Sequence, residues 1–326
     1  MTPPTSSAGA VPLGAGPAVL AFDVGGTDMK AALVDDTGRI VALRRRPTPH
    51  DGDRTADAVV EAVGDVARGF RRDHPEVRPR AAGLLVPGHV NDAAGVGVFS
   101  ENLGWRDFPF RSRAHEEIGI PVSFSHDVRG AGEAEHRLGA AAPFDDVVVM
   151  VIGTGIAGAV FVGGRLLTAG GMAGEMGHSR VADGPLCACG GMGCLEAIAS
   201  AAAIARHYTA RTGTPVAGAK DVLERAQAGD ADAAAIWENA LDALALDLSH
   251  TVALLAPQAI VIGGGLSQAG PALFEPLTRK LDAILTFHRR PLLLPASIGE
   301  DAGVIGAALR ARELLAERSD SAHVSH

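Results

Sequence analysis

Aromatic side chains are scarce in this chain: ten Phe, two Trp and one Tyr, 4 % of 326 residues. A protein that holds single-stranded bases by stacking needs a richer supply, so that class of function is disfavoured. Basic charge is also short. With 29 Lys and Arg against 38 Asp and Glu, the formal net charge of −9 argues against a general attraction to nucleic acid or anionic lipid. No run approaches the ~18 uninterrupted apolar residues of a membrane span, and the first residues lack a charged segment followed by an apolar block. The expectation is a cytoplasmic protein whose partners are small molecules, with no nucleic acid and no membrane among them. Cysteine is rare too. Cys187, Cys189 and Cys194 are the only three, and their clustering is useless for cross-linking a fold but suited to gripping a metal.

What is plentiful is glycine, 41 residues in a chain that is 47 % apolar and 21 % charged. That suits an Ala- and Gly-rich α/β enzyme with a sizeable core. The Pro-, Gly- and Ser-rich opening, residues 1–17, and the tail, 319–326, read as disordered. Residues 18–24 form a strand that reaches Gly25-Gly26-Thr27, and two more strands follow through the turn at 35–38, a β-meander. VVVMVIGTGIAGAVFVGGRLL, from Val147, repeats the plan: placing Gly25 on Gly153 aligns Thr27 with Gly155, Ala31 with Ala159 and Val34 with Val162. Between the copies, helical spacing covers 55–73, a buried strand from Ala81 closes at Pro87-Gly88, and a helix over 112–118 and a strand over 121–124 lead to His126-Asp127. Helices at 196–211 and 231–255, a strand at 259–265 and a last helix over 304–318 complete the reading. Helix 231–255 suits core or a dimer face. Strands alternating with helices imply parallel sheets covered on both faces, and two similar halves imply a duplicated α/β architecture with a cleft between.

DVGGT sets an acid, two glycines and a hydroxyl at a hairpin tip. There the N–H groups of Gly25, Gly26 and Thr27 can approach phosphate oxygens, and Asp23 can reach a phosphate-bound Mg²⁺ through water. An ordinary tight turn reads the same way. The near repeat Gly153-Thr154-Gly155 and a third cluster, Gly263-Gly264-Gly265 after a strand, strengthen the phosphate reading, because three glycine turns can ring one nucleotide. His178, Cys187, Cys189 and Cys194 give H-x8-C-x-C-x4-C, four ligands on a short Gly-rich loop. That suffices for a closed, structural tetrahedral Zn²⁺ site. It would also orient His178.

DVGGT, VPGHVNDAAGVGVFSENLGW, HDVRGAGEAE, IGTGIAGAVFVGGRL, GMAGEMGHSRVADGPLCACGGMGCLEAIAS and IVIGGGLS resemble, in that order, the ROK family of sugar kinases and sugar-responsive repressors. The resemblance spans roughly residues 18–316. It implies an actin-like (ASKHA, ribonuclease H-like) two-domain ATPase fold, with ATP and Mg²⁺ in the interdomain cleft and phosphorylation of a hexose 6-hydroxyl. It also implies a small domain over 18–128 completed by helix 303–318, a large domain over 129–302 carrying a zinc loop at 178–194, and a homodimer. By the same resemblance Asp127 is the catalytic base, although a lone Asp at this place is more often a helix cap. Asn102, His126, Glu175, His178 and Glu196 form the sugar-binding set, and Gly264 and Gly265 join the phosphate turns.

Two departures from the family pattern stand out. Asp28 follows DVGGT where many relatives carry lysine or a neutral residue, so it is expected to point outward or to pair with a cation such as Lys30. His126 replaces an Asn of the sugar site, which bears on the identity of the hexose and not on the chemistry. The leading reading is an ATP-dependent hexose 6-kinase acting on glucose. An amino-hexose 6-kinase, for glucosamine, N-acetylmannosamine or 3-amino-3-deoxyglucose (kanosamine), is the alternative, with Glu101 as a carboxylate that an amine could meet. A sugar-sensing regulator comes third: no helix-turn-helix of a repressor fits the residues ahead of DVGGT, and retention of Asp23, Asp127, Glu175 and Glu196 speaks against a catalytically silent sugar-binding protein.

Overall fold

Val19–Val24 is buried along nearly its whole length, the mark of a central strand covered on both faces. In this computed structural model, which describes residues 13–324, it is β1, followed by β2 (Asp28–Val34), β3 (Ile40–Pro47), α1 (Thr55–Asp73) and β4 (Ala81–Val86). Three short strands, β5 (His89–Asn91), β6 (Val96–Phe99) and β7 (Arg106–Phe108), then precede α2 (Phe110–Ile118), β8 (Val122–His126) and α3 (Asp127–Leu138). The main sheet has the order β3-β2-β1-β4-β8, with β1, β4 and β8 parallel, while β5-β6-β7 is a separate antiparallel sheet.

The second half holds β9 (Val147–Ile152), β10 (Ile156–Val162), β11 (Arg165–Leu167), α4 (Leu195–Ala199), α5 (Ala201–Thr212), α6 (Ala219–Gln227), α7 (Ala231–Leu255), β12 (Ala259–Gly263), α8 (Pro271–Ile284) and β13 (Leu292–Pro295). Its sheet order, β11-β10-β9-β12-β13, is that of the first sheet strand for strand. The repeat inferred from the glycine turns is therefore a repeat of the fold. Trp237, Leu241, Leu244 and Leu248 of α7 lie in the core. The last helix, α9 (Ala302–Val324), returns to the first sheet.

The period of two along β1 sorts its side chains between layers. Leu20, Phe22 and Val24 meet Val59, Val63 and Phe70 of α1 and Ala114 of α2, whereas Val19 and Ala21 meet Val304, Ala307 and Ala308 of α9. A methyl group at Gly83 of β4 would overlap the Ala307 carbonyl, so glycine lets α9 lie directly on the sheet. The chain forms two compact units: the described residues up to Ala134 together with those from Glu300 onward, and Glu135–Gly299. The first boundary falls within α3, because that helix starts at Asp127 and continues unbroken past residue 128.

Several elements differ from expectation. The helix foreseen over 196–211 is broken at Ser200, which turns extended and accepts a hydrogen bond from Ala203 N to cap α5. The strand foreseen over 259–265 stops at Gly263, because Gly264 adopts a positive φ of 79°. The C-terminal tail is helical through Val324, in a stretch without Gly or Pro to stop it. Of the leader, residues 13–17 are held in place: Leu13 packs against the core, and Arg312 of α9 donates to the carbonyls of Gly14, Gly16 and Pro17. Residues 1–12 and 325–326 lie outside the described residues. Among the described residues no helix is long and apolar enough to cross a membrane.

Candidate active site

In the first unit the DVGGT turn joins β1 to β2, closed by Gly25 N donating to Asp28 O at 2.9 Å. Its carbonyls are taken up from behind. Thr48 Oγ1 donates to Gly25 O, Thr48 N to Thr27 O, and His50 Nε2 to Gly26 O, at 2.7, 2.8 and 3.2 Å. The peptide units are thereby rotated to present N–H groups to a ligand, which is what anion binding requires. Thr48 and His50 carry no motif, and sequence reading missed them. Asp28 is exposed, as foreseen, but the Lys30 ammonium sits 3.9 Å from Glu300 Oε2 instead of pairing with it.

Asp23 lies against the first turn of α9, where a methyl group at Gly303 would overlap its carboxylate. Burial pushes its carboxyl up to about 7, and the negative charge of Asp127 adds to the rise while Lys30 opposes it. An acid so short of positive charge fits a Mg²⁺ site.

Asp127 opens α3 directly after β8. The Val128 N–H donates to Asp127 Oδ1 at 2.7 Å and, more weakly, to His126 Nδ1 at 3.2 Å, and Nδ1 lies 3.2 Å from Oδ1. His126, the residue before the helix, stands in the capping position and meets the second N–H; Asp127 Oδ1 meets the same N–H from within the first turn, and Oδ2 has no hydrogen bond among the described residues. His126 is buried, with Nδ1 between the Val128 N–H and Asp127 Oδ1. Asn102 and Glu101 are exposed in the turn after β6, which buried Leu103 and Trp105 anchor.

In the second unit GEMGH lies along β10. Methyl groups at Gly174 and Gly177 would overlap the carbonyls of Gly158 and Ile156, and Gly158 N donates to Gly174 O at 2.7 Å. Those glycines are there for the close approach, and it sets Glu175 and His178 beside the start of β10. Glu196 of α4 comes to the same place: its Oε2 accepts from Ile156 N at 2.8 Å and rests on Gly155. Glu175, His178, Glu196 and the Gly153-Thr154-Gly155 turn are therefore brought together. Gly264 joins them, packed on the Ile152 carbonyl.

The side chains of His178, Cys187, Cys189 and Cys194 offer four ligand atoms, all within 4.8 Å of one another. Cys187 Sγ is 3.7 Å from His178 Nδ1, and Cys189 Sγ is 3.7 Å from Cys194 Sγ. Tetrahedral Zn²⁺ with bonds of ~2.3 Å to sulfur and ~2.0 Å to nitrogen needs edges of ~3.5–3.8 Å, which these two separations match, and the donor set of one imidazole and three thiols suits the ion. Burial and the two neighbouring thiols push Cys194 up to about 12, a state that a central dication would reverse.

The family model described as ROK family matches residues 19–313. The chain belongs to the ROK family. It is 31 % identical to a glucokinase of Streptomyces coelicolor, over 90 % of this chain and 97 % of that one. It is 33 % identical to an N-acetylmannosamine kinase of Escherichia fergusonii, over 90 % and 98 %. The crystal structure of a ROK family glucokinase from Streptomyces griseus, in complex with glucose and AMPPNP, superposes with a TM-score of 0.76 at 30 % identity, covering 91 % of this chain and 99 % of that one. Matched over nine-tenths of its length with sugar kinases, this ROK protein is an enzyme of the same class, and its fold is the actin-like one.

Proposed function

We propose that this ROK protein transfers the γ-phosphoryl group of ATP to the 6-hydroxyl of glucose or a glucose-like hexose. The observation that carries the reading is the β8–α3 junction, where one oxygen of Asp127 is bound to the helix start and the other is left for a substrate hydroxyl. As the sugar O6 attacks phosphorus in line, its proton passes to Asp127, the P–O bond to ADP breaks, and sugar 6-phosphate and ADP leave. The amides of Gly25, Gly26, Thr27, Gly153, Thr154, Gly155, Gly264 and Gly265 are assigned to the phosphates. Asp23 is the residue that would hold Mg²⁺ through water, the ion supplying neutralisation of phosphate charge. Asn102, His126, Glu175, His178 and Glu196 are assigned to the sugar hydroxyls. His178, Cys187, Cys189 and Cys194 are the residues that would hold a structural Zn²⁺, which would fix the GEMGH segment. The protein acts as a cytoplasmic homodimer on small molecules, away from nucleic acid and membrane.

His126 bears on the choice of sugar, because its Nδ1 is taken up by the Val128 and Asp127 contacts and Nε2 is the ring nitrogen left to meet a ligand. Glucose is favoured because the Streptomyces coelicolor and Streptomyces griseus relatives are glucokinases. The amino-hexose reading rests on Glu101, which is exposed beside Asn102 and has no ion pair among the described residues. A coupled ADP-release assay over glucose, mannose, glucosamine, N-acetylmannosamine and kanosamine is the test. Preference for glucose supports the reading, and preference for an amine moves it to the alternative. Binding without turnover of any sugar would point to the regulator.

A further inference from the structure

Asp92 lies in the turn between β5 and β6, a stretch given no role above. Its carboxylate is the hub of contacts onto the β8–α3 junction. Ser125 Oγ donates to Oδ2 at 2.6 Å, Arg129 donates to Oδ1 at 2.7 Å, and the Arg310 guanidinium of α9 comes within 3.7 Å of Oδ2. Ser125 and Arg129 stand two residues before and two after Asp127. The Arg129 side chain is only 1 % exposed, so a full charge has been taken out of water, which is costly unless acids meet it. The hairpin does not itself require an acid there. Asn91 makes the local turn bond, accepting from Ala94 N at 3.0 Å, and Arg111 holds the tip through the carbonyls of Asp92 and Ala93. The charge of Asp92 serves the neighbouring junction.

We infer that Asp92 is a positioning residue for phosphoryl transfer: gripping Ser125 and Arg129, it fixes the junction so that Oδ2 of Asp127 keeps its aim at the sugar hydroxyl. The inference rests on Asp127 being the base. Proton transfer needs the base within hydrogen-bond reach, and a misplacement of about 1 Å costs ~10²-fold in rate. Holding the residues on both sides of Asp127 limits such movement.

The test uses the full chain carrying D92N, which keeps an acceptor for Ser125 and removes the charge facing Arg129, and D92N/R129M, which removes acid and cation together. V63A, in the α1 core, is a control for general loss of stability. Folding is checked by circular dichroism, and kcat and the KM values for ATP and the best sugar of the panel are then measured. The expected result is a fall in kcat of about 10- to 100-fold in both Asp92 variants, with each KM within about threefold of wild type and kcat unchanged in V63A. A folded double variant with wild-type kcat overturns the inference, as does a rise in KM alone, a fall in kcat shared with V63A, or failure of both Asp92 variants to fold. D127N in the same assay separates the two readings. Near wild-type turnover by D127N removes the base assignment itself, whereas an inactive D127N beside a fully active D92N removes only the role of Asp92.

Discussion

The two sheets share one strand order, yet acids stand at the carboxyl ends of the strands of only one of them. In the first, Asp23 stands near the carboxyl end of β1 and His126-Asp127 at the end of β8. In the second, the glycine alignment sets Val151 opposite Asp23, and counting along the paired strands puts Ser297-Ile298 where His126-Asp127 stand. There the chain binds a carboxylate instead of presenting one: Glu135 accepts from Ser297 N and Ile298 N at 3.2 and 2.7 Å. The polar groups of the second unit come from an insertion, the segment from GEMGH through the cysteine knuckle to Glu196. Duplication supplied two scaffolds with glycine turns, and the chemistry lies in what was not duplicated.

The sharpest way to break this comparison is Asp127→Asn, which removes one of the two acids that the second unit lacks by register. The amide can still hydrogen-bond the sugar, so sugar affinity should persist while kcat falls ~10²–10⁴-fold in an ADP-release assay. Turnover near that of wild type would show that the asymmetry has no catalytic meaning.

The inserted segment of the second unit should in turn depend on its metal. Elemental analysis should find about one zinc per chain, lost in Cys189→Ala together with on the order of 5–10 °C in Tm. Amide exchange should rise over 176–196 and stay unchanged in the first sheet. A zinc-free protein of full stability would contradict the assignment.

Asp23 sharpens the contrast with Val151 through pH. Its carboxyl is raised from an ordinary 3.8 to about 7, so between those values the folded state binds a proton that the unfolded state has released. Stability from this group therefore falls as pH rises through that window and levels off above it. Asp23→Asn should match wild type in urea unfolding near pH 4 and exceed it by about 2–4 kcal/mol at pH 8. A gap that does not grow with pH would mean that Asp23 is not held protonated.

The smallest effect is expected from His126→Asn. Exchanging the imidazole for a carboxamide should change the ratio of kcat/KM between glucose and the amino-hexoses by ~3–10-fold, about one hydrogen bond. Unchanged ratios across the panel would mean that His126 does not read the sugar.

Much of this was legible along the chain, and the exceptions have causes. The apolar run at β1 and the spacing of Ala58, Val59, Ala62, Val63, Val66 and Phe70 place β1 and α1 to within a residue, because a buried strand and a one-sided helix each carry their own period. The sheet of β5, β6 and β7 escaped, since strands of three or four residues are too short to show alternation. No helix is expected over Pro271–Ile284, where Pro276 argues against one from sequence although α8 continues through it. The break at Ser200 had a usable signal, a capping serine ahead of three alanines.

The sequence by itself determined the duplicated α/β scaffold, the glycine turns and the four-ligand knuckle, because periodicity, backbone freedom at glycine and ligand spacing are local properties. Only the tertiary structure decided that Glu196 rests on the Gly155 turn, that Thr48 and His50 rotate the DVGGT peptides, and that Asp92 grips both sides of Asp127. Those contacts join residues about 20 to 40 positions apart. No repeat in the chain encodes them, since each depends on which side chains the sheets, once paired, bring within hydrogen-bond reach.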